Sequence, residues 1–378
     1  MGEETSLSED KIAILALVRT PGVGPVTIRQ LISYCSGAEN IYRSDFKKLI
    51  KIPGISEKIV RNIQRKEGWA EAEKEWEKTQ KSHVKLIFYT DSSYPKRLKP
   101  LYDSPVLLYT TGNIDFNTAR TVGIVGTRQI SEYGKSVTET IIRDLTPYQP
   151  LVVSGLAYGV DITAHRACLK HGLPTVGVMA SGLDVIYPAV HKKTAQDMLE
   201  TGGLVTENPL GTKPDFMRFP ARNRIIAGLS DVTIVVESAK RGGSLITVEY
   251  AQNYHREIYA VPGNLGNPVS EGCNQLIRAN KASLFLSVED MLQDLQWKLG
   301  AAVVTKTRQD IPEKELVFEG FTQDEGQVLA LLKKNGDMQI DDISWQSGIH
   351  LGKLATLLLN LEFQGMVRSL PGKKYALI

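Results

Sequence analysis

The sequence predicts an α/β fold with a doubly wound, mainly parallel sheet, flanked by a small helical domain and a terminal winged helix. Three observations predict it. Between residues 84 and 298, short β-rich apolar runs alternate with amphipathic stretches, the pattern of parallel strands joined by crossover helices. Those runs are near-continuously apolar, as strands covered on both faces must be. The flanks, 1–80 and 322–378, read instead as short helices, the second ending in a β-like stretch.

Strands are expected at 84–89, 106–110, 121–125, 151–154, 175–179, 204–206, 231–236 and 257–261, with helices at 133–145, 160–170 and 245–254 among them. The domain plan is then a helical domain over 1–80, the α/β domain over 81–298, a linker over 299–321 and a winged helix over 322–378. With a net charge of only +3, bulk charge does not announce a nucleic-acid partner, which must be argued from local clusters. Cys35, Cys168 and Cys273 are too few and too scattered for a disulfide framework or a cysteine zinc site. The start MGEETSLSED lacks an apolar signal segment, and no apolar run could span a bilayer, so a cytoplasmic protein without membrane contact is expected.

Open sheets of this class bind ligands beyond the carboxyl ends of their strands. There the sequence places Gly126-Thr127-Arg128, Ser154-Gly155, Glu207-Asn208, and Arg241-Gly242-Gly243-Ser244. Glycine lets a ligand approach the backbone, and a helix start offers N–H groups to phosphate. Loops between strands and helices use glycine in any case, but the whole set, with Arg128 and Ser244 as anion donors, favours a phosphate-binding rim. Two sharper phosphate motifs fail. Gly134-Lys135-Ser136 lacks the glycine that a nucleoside-triphosphate loop needs at position 129, and Gly123-Ile124-Val125-Gly126 breaks the dinucleotide fingerprint at Val125.

The richest segment is 216–230. Arg218, Arg222 and Arg224 fall within seven residues, with Phe216, Phe219 and Asn223 among them and no acid between Asp215 and Asp231. Guanidinium forks pair with phosphate, and aromatic faces stack unpaired bases without regard to sequence. The alternative is a solvated basic turn beside core aromatics. Pro220 and Asn223 suggest a shaped loop, running into an apolar anchor at 225–229. No catalytic or metal constellation stands out: the six histidines are dispersed, and Asp161 and His165, i and i+4 on a helix, suit a structural role better than proton transfer. No cofactor is expected.

With these residues in place, the chain strongly resembles the bacterial DNA-processing protein A (DprA/Smf) family. The matching stretches run in family order over about 170 residues: Gly123 to Arg128, Ser154-Gly155 through Asp161 and His165, Gly182-Leu183-Asp184, Phe219 to Gly228, Gly243 to Thr247, and Ala260 to Gly263. The resemblance implies an extended Rossmann-like core that binds and protects single-stranded DNA, forms a homodimer and hands DNA to the RecA recombinase, without enzymatic activity. It also implies that Arg128 and the stretch 219–224 line the DNA pocket, with Lys213 a further contact. The residues expected at the DNA are therefore Gly126, Thr127, Arg128, Ser154, Gly155, Lys213, Arg218, Phe219, Arg222, Asn223, Arg224, Gly243 and Ser244. Gly242 stands where many members have Ser, and His191 where Asn is common. The competing enzyme reading is a lysine-decarboxylase-like phosphoribohydrolase acting on nucleoside monophosphates. Glu249 has the right spacing for it, but Leu245-Ile246 replaces the glycine–threonine step of its signature.

In the first flank, 20–25 and 52–56 look like two helix-hairpin-helix turns, part of a SAM-like module that either touches DNA, with Lys58 and Arg61 nearby, or is purely structural. In the last, basic and acidic residues balance: Lys333, Lys334, Lys353, Arg368, Lys373 and Lys374 against Asp324, Glu325, Asp337, Asp341, Asp342 and Glu362. Without electropositive bias, this winged helix is expected to contact protein, or DNA weakly through Lys373 and Lys374.

Overall fold

The computed structural model describes residues 2–297, 321–370 and 374–377. The chain divides into two compact units at Ala302.

The first unit opens with six helices: α1 (Gly2–Arg19), α2 (Pro25–Cys35), α3 (Ala38–Arg43), α4 (Phe46–Leu49), α5 (Glu57–Gln64) and α6 (Trp69–Gln80). The first of these, at 18 residues, is longer than the short helices expected. Both predicted hairpins form. Val23 N–H donates to Thr20 O and Ile55 N–H to Ile52 O, each at 3.2 Å, around glycines with positive φ, Gly22 and Gly54. Each hairpin is braced by the helix after the other: Asn62 Nδ2 donates to Pro21 O (3.0 Å), and Gln30 Nε2 to Pro53 O (2.7 Å). The change of texture near residue 80 is no break in the core. One apolar cluster runs from Ile14, Leu31 and Ile63 into Phe88, Leu107 and Leu204 of the sheet. Across the same seam, the Glu75 carboxylate accepts from the Tyr109 hydroxyl and from Arg19 Nε (2.7 Å).

All eight predicted strands are present: β1 (Lys85–Phe88), β2 (Leu107–Gly112), β3 (Thr121–Val125), β4 (Leu151–Ser154), β5 (Thr175–Val178), β6 (Gly203–Thr206), β7 (Val232–Val235) and β8 (Glu257–Ala260). A ninth, β9 (Ser283–Leu284), is too short to leave a pattern in the sequence. The sheet order is β1-β2-β6-β5-β4-β3-β7-β8-β9. Pairing is parallel from β6 through β9, and antiparallel only where β2 meets β6 and β1 meets β2.

The crossover helices are α7 (Glu132–Leu145), α8 (Val160–His171), α9 (Lys192–Asp197), α10 (Arg218–Leu229), α11 (Ser244–Asn253) and α12 (Glu271–Arg278), with α13 (Val288–Asp294) after β9. Alternate strand residues point to opposite faces. On one face Val122, Ile124 and Val152 pack with Ile141, Ala164 and Met291; on the other Leu151 and Val153 pack with Ile225, Ile226 and Val248. Because β4 lies on one side of β3 and β7 on the other, the strand order reverses there and opens a crevice at their carboxyl ends.

The second unit has the expected winged-helix elements: α14 (Gln323–Asn335), β10 (Met338–Gln339), α15 (Ile340–Ser347), α16 (Leu351–Phe363), β11 (Val367–Leu370) and β12 (Lys374–Leu377). Thr322 and Glu325 form a capping box at the start of α14, and Gly348 ends α15 in the left-handed region. Val328, Ile343, Leu354, Leu358 and Val367 form its core. The linker expected over 299–321 lies, except for Phe321, outside the described residues, as does Lys373. Among the described residues no helix is long and apolar enough to cross a membrane.

Candidate nucleic-acid interface

At the carboxyl ends of β3 and β7, where the strand order reverses, lies a groove of about 710 Å³. Its floor is the first turn of α10, and its walls are the loops after β3 and β7. Arg128 projects from the β3 loop, and its exposed guanidinium sits over the Phe219 ring at 5.2 Å, a cation–π contact. Phe219 also meets Tyr187 with ring centroids 6.1 Å apart. Phe216, 85% exposed, stands at the groove edge. From the opposite wall the β7–α11 loop contributes Lys240 and Arg241, both exposed, and Asn223 Nδ2 donates to Gly243 O (3.3 Å), tying that loop to α10. Behind Phe219 a smaller pocket of about 80 Å³ opens between Arg128, Tyr158, Ser181 and Tyr187. Lys213 is exposed just ahead of α10, and Arg218, also exposed, donates through Nη1 to Asn208 Oδ1 (2.9 Å).

Several residues expected at the ligand have other partners. The segment 216–230 is not a shaped loop: it is helical from Arg218, because Pro220 falls in the first turn, where a missing N–H is harmless. A helix turns about 100° per residue, so Arg222 and Arg224 point to nearly opposite sides. Arg222 is only 5% exposed, and its Nη1 donates to the carbonyls of Gly155 and Val178 at the ends of β4 and β5. Its guanidinium fills the space that a Cβ on Gly155 would take, so that glycine makes room for the arginine. Arg224 pairs with the Glu207 carboxylate and donates to Asp103 O (2.7 Å). The Ser154 hydroxyl is buried and donates to Ile124 O (2.6 Å), and the Ser244 hydroxyl to Ser238 Oγ (2.9 Å). Of these five, Gly155, Arg222 and Ser244 still border the two cavities, while Ser154 and Arg224 do not.

The phosphate seat at the start of α7 is also taken. The buried Glu237 carboxylate, just past β7, accepts from Ser131 N–H (2.9 Å) and from the Ser131 hydroxyl, while Glu237 O accepts from Thr127 N–H (2.7 Å). A carboxylate thus neutralises the positive end of the helix after β3, where a mononucleotide-binding fold of this class would seat its phosphate.

Three family models match the chain in order: a SAM-like helix-hairpin-helix tandem over residues 14–66, the DNA recombination-mediator protein A model over 85–296, and a DprA winged helix domain over 312–373. The second covers more than half of the sequence. The chain belongs to the DNA recombination-mediator protein A family. Protein Smf of Synechocystis is 29% identical over 96% of this chain and 97% of its own length. The DNA processing protein A structure from Streptococcus pneumoniae superposes with a TM-score of 0.66 at 32% identity, covering 75% of this chain and 97% of that one. That of Helicobacter pylori, described for its single-stranded DNA binding mode, gives a TM-score of 0.52 at 30% identity over 56% and 95%.

Within this recombination-mediator core, the expected pair Asp161 and His165 is buried and structural. Asp161 accepts from Ala157 N–H (3.3 Å), and burial raises its carboxyl above the ordinary range against the pull of Arg222. His165 Nδ1 shares a hydrogen bond with Thr175 Oγ1 (2.7 Å), and burial, then His191 and Arg222, lower its pKa to about 3. It is therefore neutral at pH 7. Lys240 is not among the residues the sequence points to, and Tyr158 and Tyr187 lie in stretches that match the family without being singled out as DNA contacts, because only the sheet topology brings these three loops to Phe219. In the winged helix Lys374, one of the two cations expected to reach DNA, pairs with Asp337 (3.0 Å), and Lys353 on α16 pairs with Asp324.

Proposed function

We propose that this recombination mediator grips single-stranded DNA along the rim groove and presents it to the RecA recombinase, acting as a cytoplasmic homodimer and breaking no bonds itself. The carrying observation is the stack of the Arg128 guanidinium on Phe219, set in a groove whose other wall carries Lys240 and Arg241. Cations track a phosphodiester backbone, and an aromatic face accepts any unpaired base. The Helicobacter pylori relative, whose structure was described for its single-stranded DNA binding mode, supports the same ligand. Glu237 in the seat of a nucleotide phosphate argues for backbone contact along the groove and against a bound mononucleotide.

Titrating labelled oligothymidine against the full chain across salt tests this. Affinity should fall steeply as salt rises, and duplex of equal length should bind far more weakly; salt-independent binding would sink the proposal. Glu249 also lines the groove, so the hydrolase alternative is checked in parallel: release of free base from nucleoside monophosphates would replace the binding reading. Sedimentation equilibrium tests the dimer, and the rate of RecA assembly on single strands tests the hand-over.

A further inference from the structure

A second cationic surface lies on the helical module. Lys47, Lys48 and Lys51 are all exposed on and just after α4. Leu49 and Ile52, interleaved with them, are buried and anchor the turn, so the three ammonium groups project from a fixed backbone. Two other cations of the module are paired, Arg43 with Glu39 and Arg61 with Glu57. Among the described residues, no carboxylate pairs with any of the three lysines. They border a hollow of about 420 Å³, together with Tyr34, which is 55% exposed, and a single acid, Asp45. Gathering like charges on one rigid turn carries a repulsive cost that a bound polyanion relieves. An exposed aromatic ring beside the lysines suits a strand whose backbone meets the ammonium groups while a base meets the ring.

We propose that this hollow is a second DNA-binding surface, separate from the rim groove, which holds another stretch of a single strand. It rests on the reading that the protein binds single-stranded DNA. The rim would then fix one segment while the helical module keeps a second from diffusing away, raising affinity for long strands more than for short ones.

The test uses the full chain and oligothymidines of two lengths, one short enough to fill only the rim. Lys47→Ala/Lys48→Ala/Lys51→Ala should leave short-strand binding and the melting temperature unchanged. On the long strand it should make the plot of log affinity against log salt shallower by about 2, from three lost contacts at roughly 0.7 each. Tyr34→Ala should weaken long-strand binding alone. A long-strand slope equal to wild type in the triple variant overturns the proposal. So does a Tyr34→Ala variant of wild-type affinity with inorganic polyphosphate competing as well as DNA, since that marks a plain charge sink. Failure of the rim reading looks different: Arg128→Ala would then bind the short strand normally, while the lysine variant still loses long-strand affinity.

Discussion

Arg218 and Arg222 lie one turn apart on the same helix and do opposite work. Arg218 is exposed at the start of α10 and donates to Asn208. Arg222 is buried and holds the ends of β4 and β5 together through two carbonyls. The same contrast separates Arg128, stacked openly on Phe219, from Arg224, locked to Glu207. A cluster of arginines thus divides into a rim that can meet a polyanion and a frame that shapes it. Sequence proximity does not tell the two apart; burial does.

The sharpest break of this contrast is Arg222→Ala. It leaves two buried carbonyls without a donor and Asp161 without its nearest cation, so stability should drop by about 3–5 kcal/mol, read as the denaturation midpoint, with DNA binding lost only as the fold is lost. A variant that stays fully stable yet binds no DNA would move Arg222 back to the rim.

The legibility of the molecule follows the same line. The strands can be read because a doubly covered sheet needs continuous apolar runs, and α7, α8 and α11 because they are amphipathic, whereas α10 reads as a loop because Pro220 and Asn223 stand near its start. The site can be read only as a neighbourhood. Arg128 and Phe219 are both visible as candidates, but their contact depends on how β3 and α10 meet. The partners of Arg222 lie 67 and 44 residues away, so no local pattern could reveal that it is a strut. Glu237 is equally hidden, because a carboxylate at a strand end reads as solvent-facing until its register places it under Ser131.

On the rim side, Arg128→Ala should weaken single-strand binding by about 3 kcal/mol, the upper range for a hydrogen bond to a charged group, with little change in melting temperature because the exposed contact with Phe219 is worth under about 1 kcal/mol. Phe219→Ala should cost about 2 kcal/mol if it stacks one base, measured by the same titration. On the frame side, His165 makes stability depend on pH. Its folded pKa of about 3 lies below the unfolded value, so its contribution is complete above about pH 6.5 and is lost as pH falls from there towards 3, by roughly 1.4 kcal/mol per unit. The raised carboxyls of Asp161 and Glu207 oppose that slope at the acidic end, since the folded state holds their protons more tightly. Chemical denaturation of His165→Asn between pH 5 and 7 should therefore show a flatter profile than wild type. Smallest of all, Lys240→Ala and Arg241→Ala should each make the salt slope shallower by about 0.7 without touching stability.

The most direct measurement pairs Arg128→Ala with wild type in a salt-resolved titration of oligothymidine, with melting temperatures in parallel. The groove predicts affinity reduced about a hundredfold, a shallower salt slope and a nearly unchanged melting temperature. Wild-type affinity and slope in the variant would mean that the DNA lies elsewhere, and that the exposed guanidinium on Phe219 is not the grip.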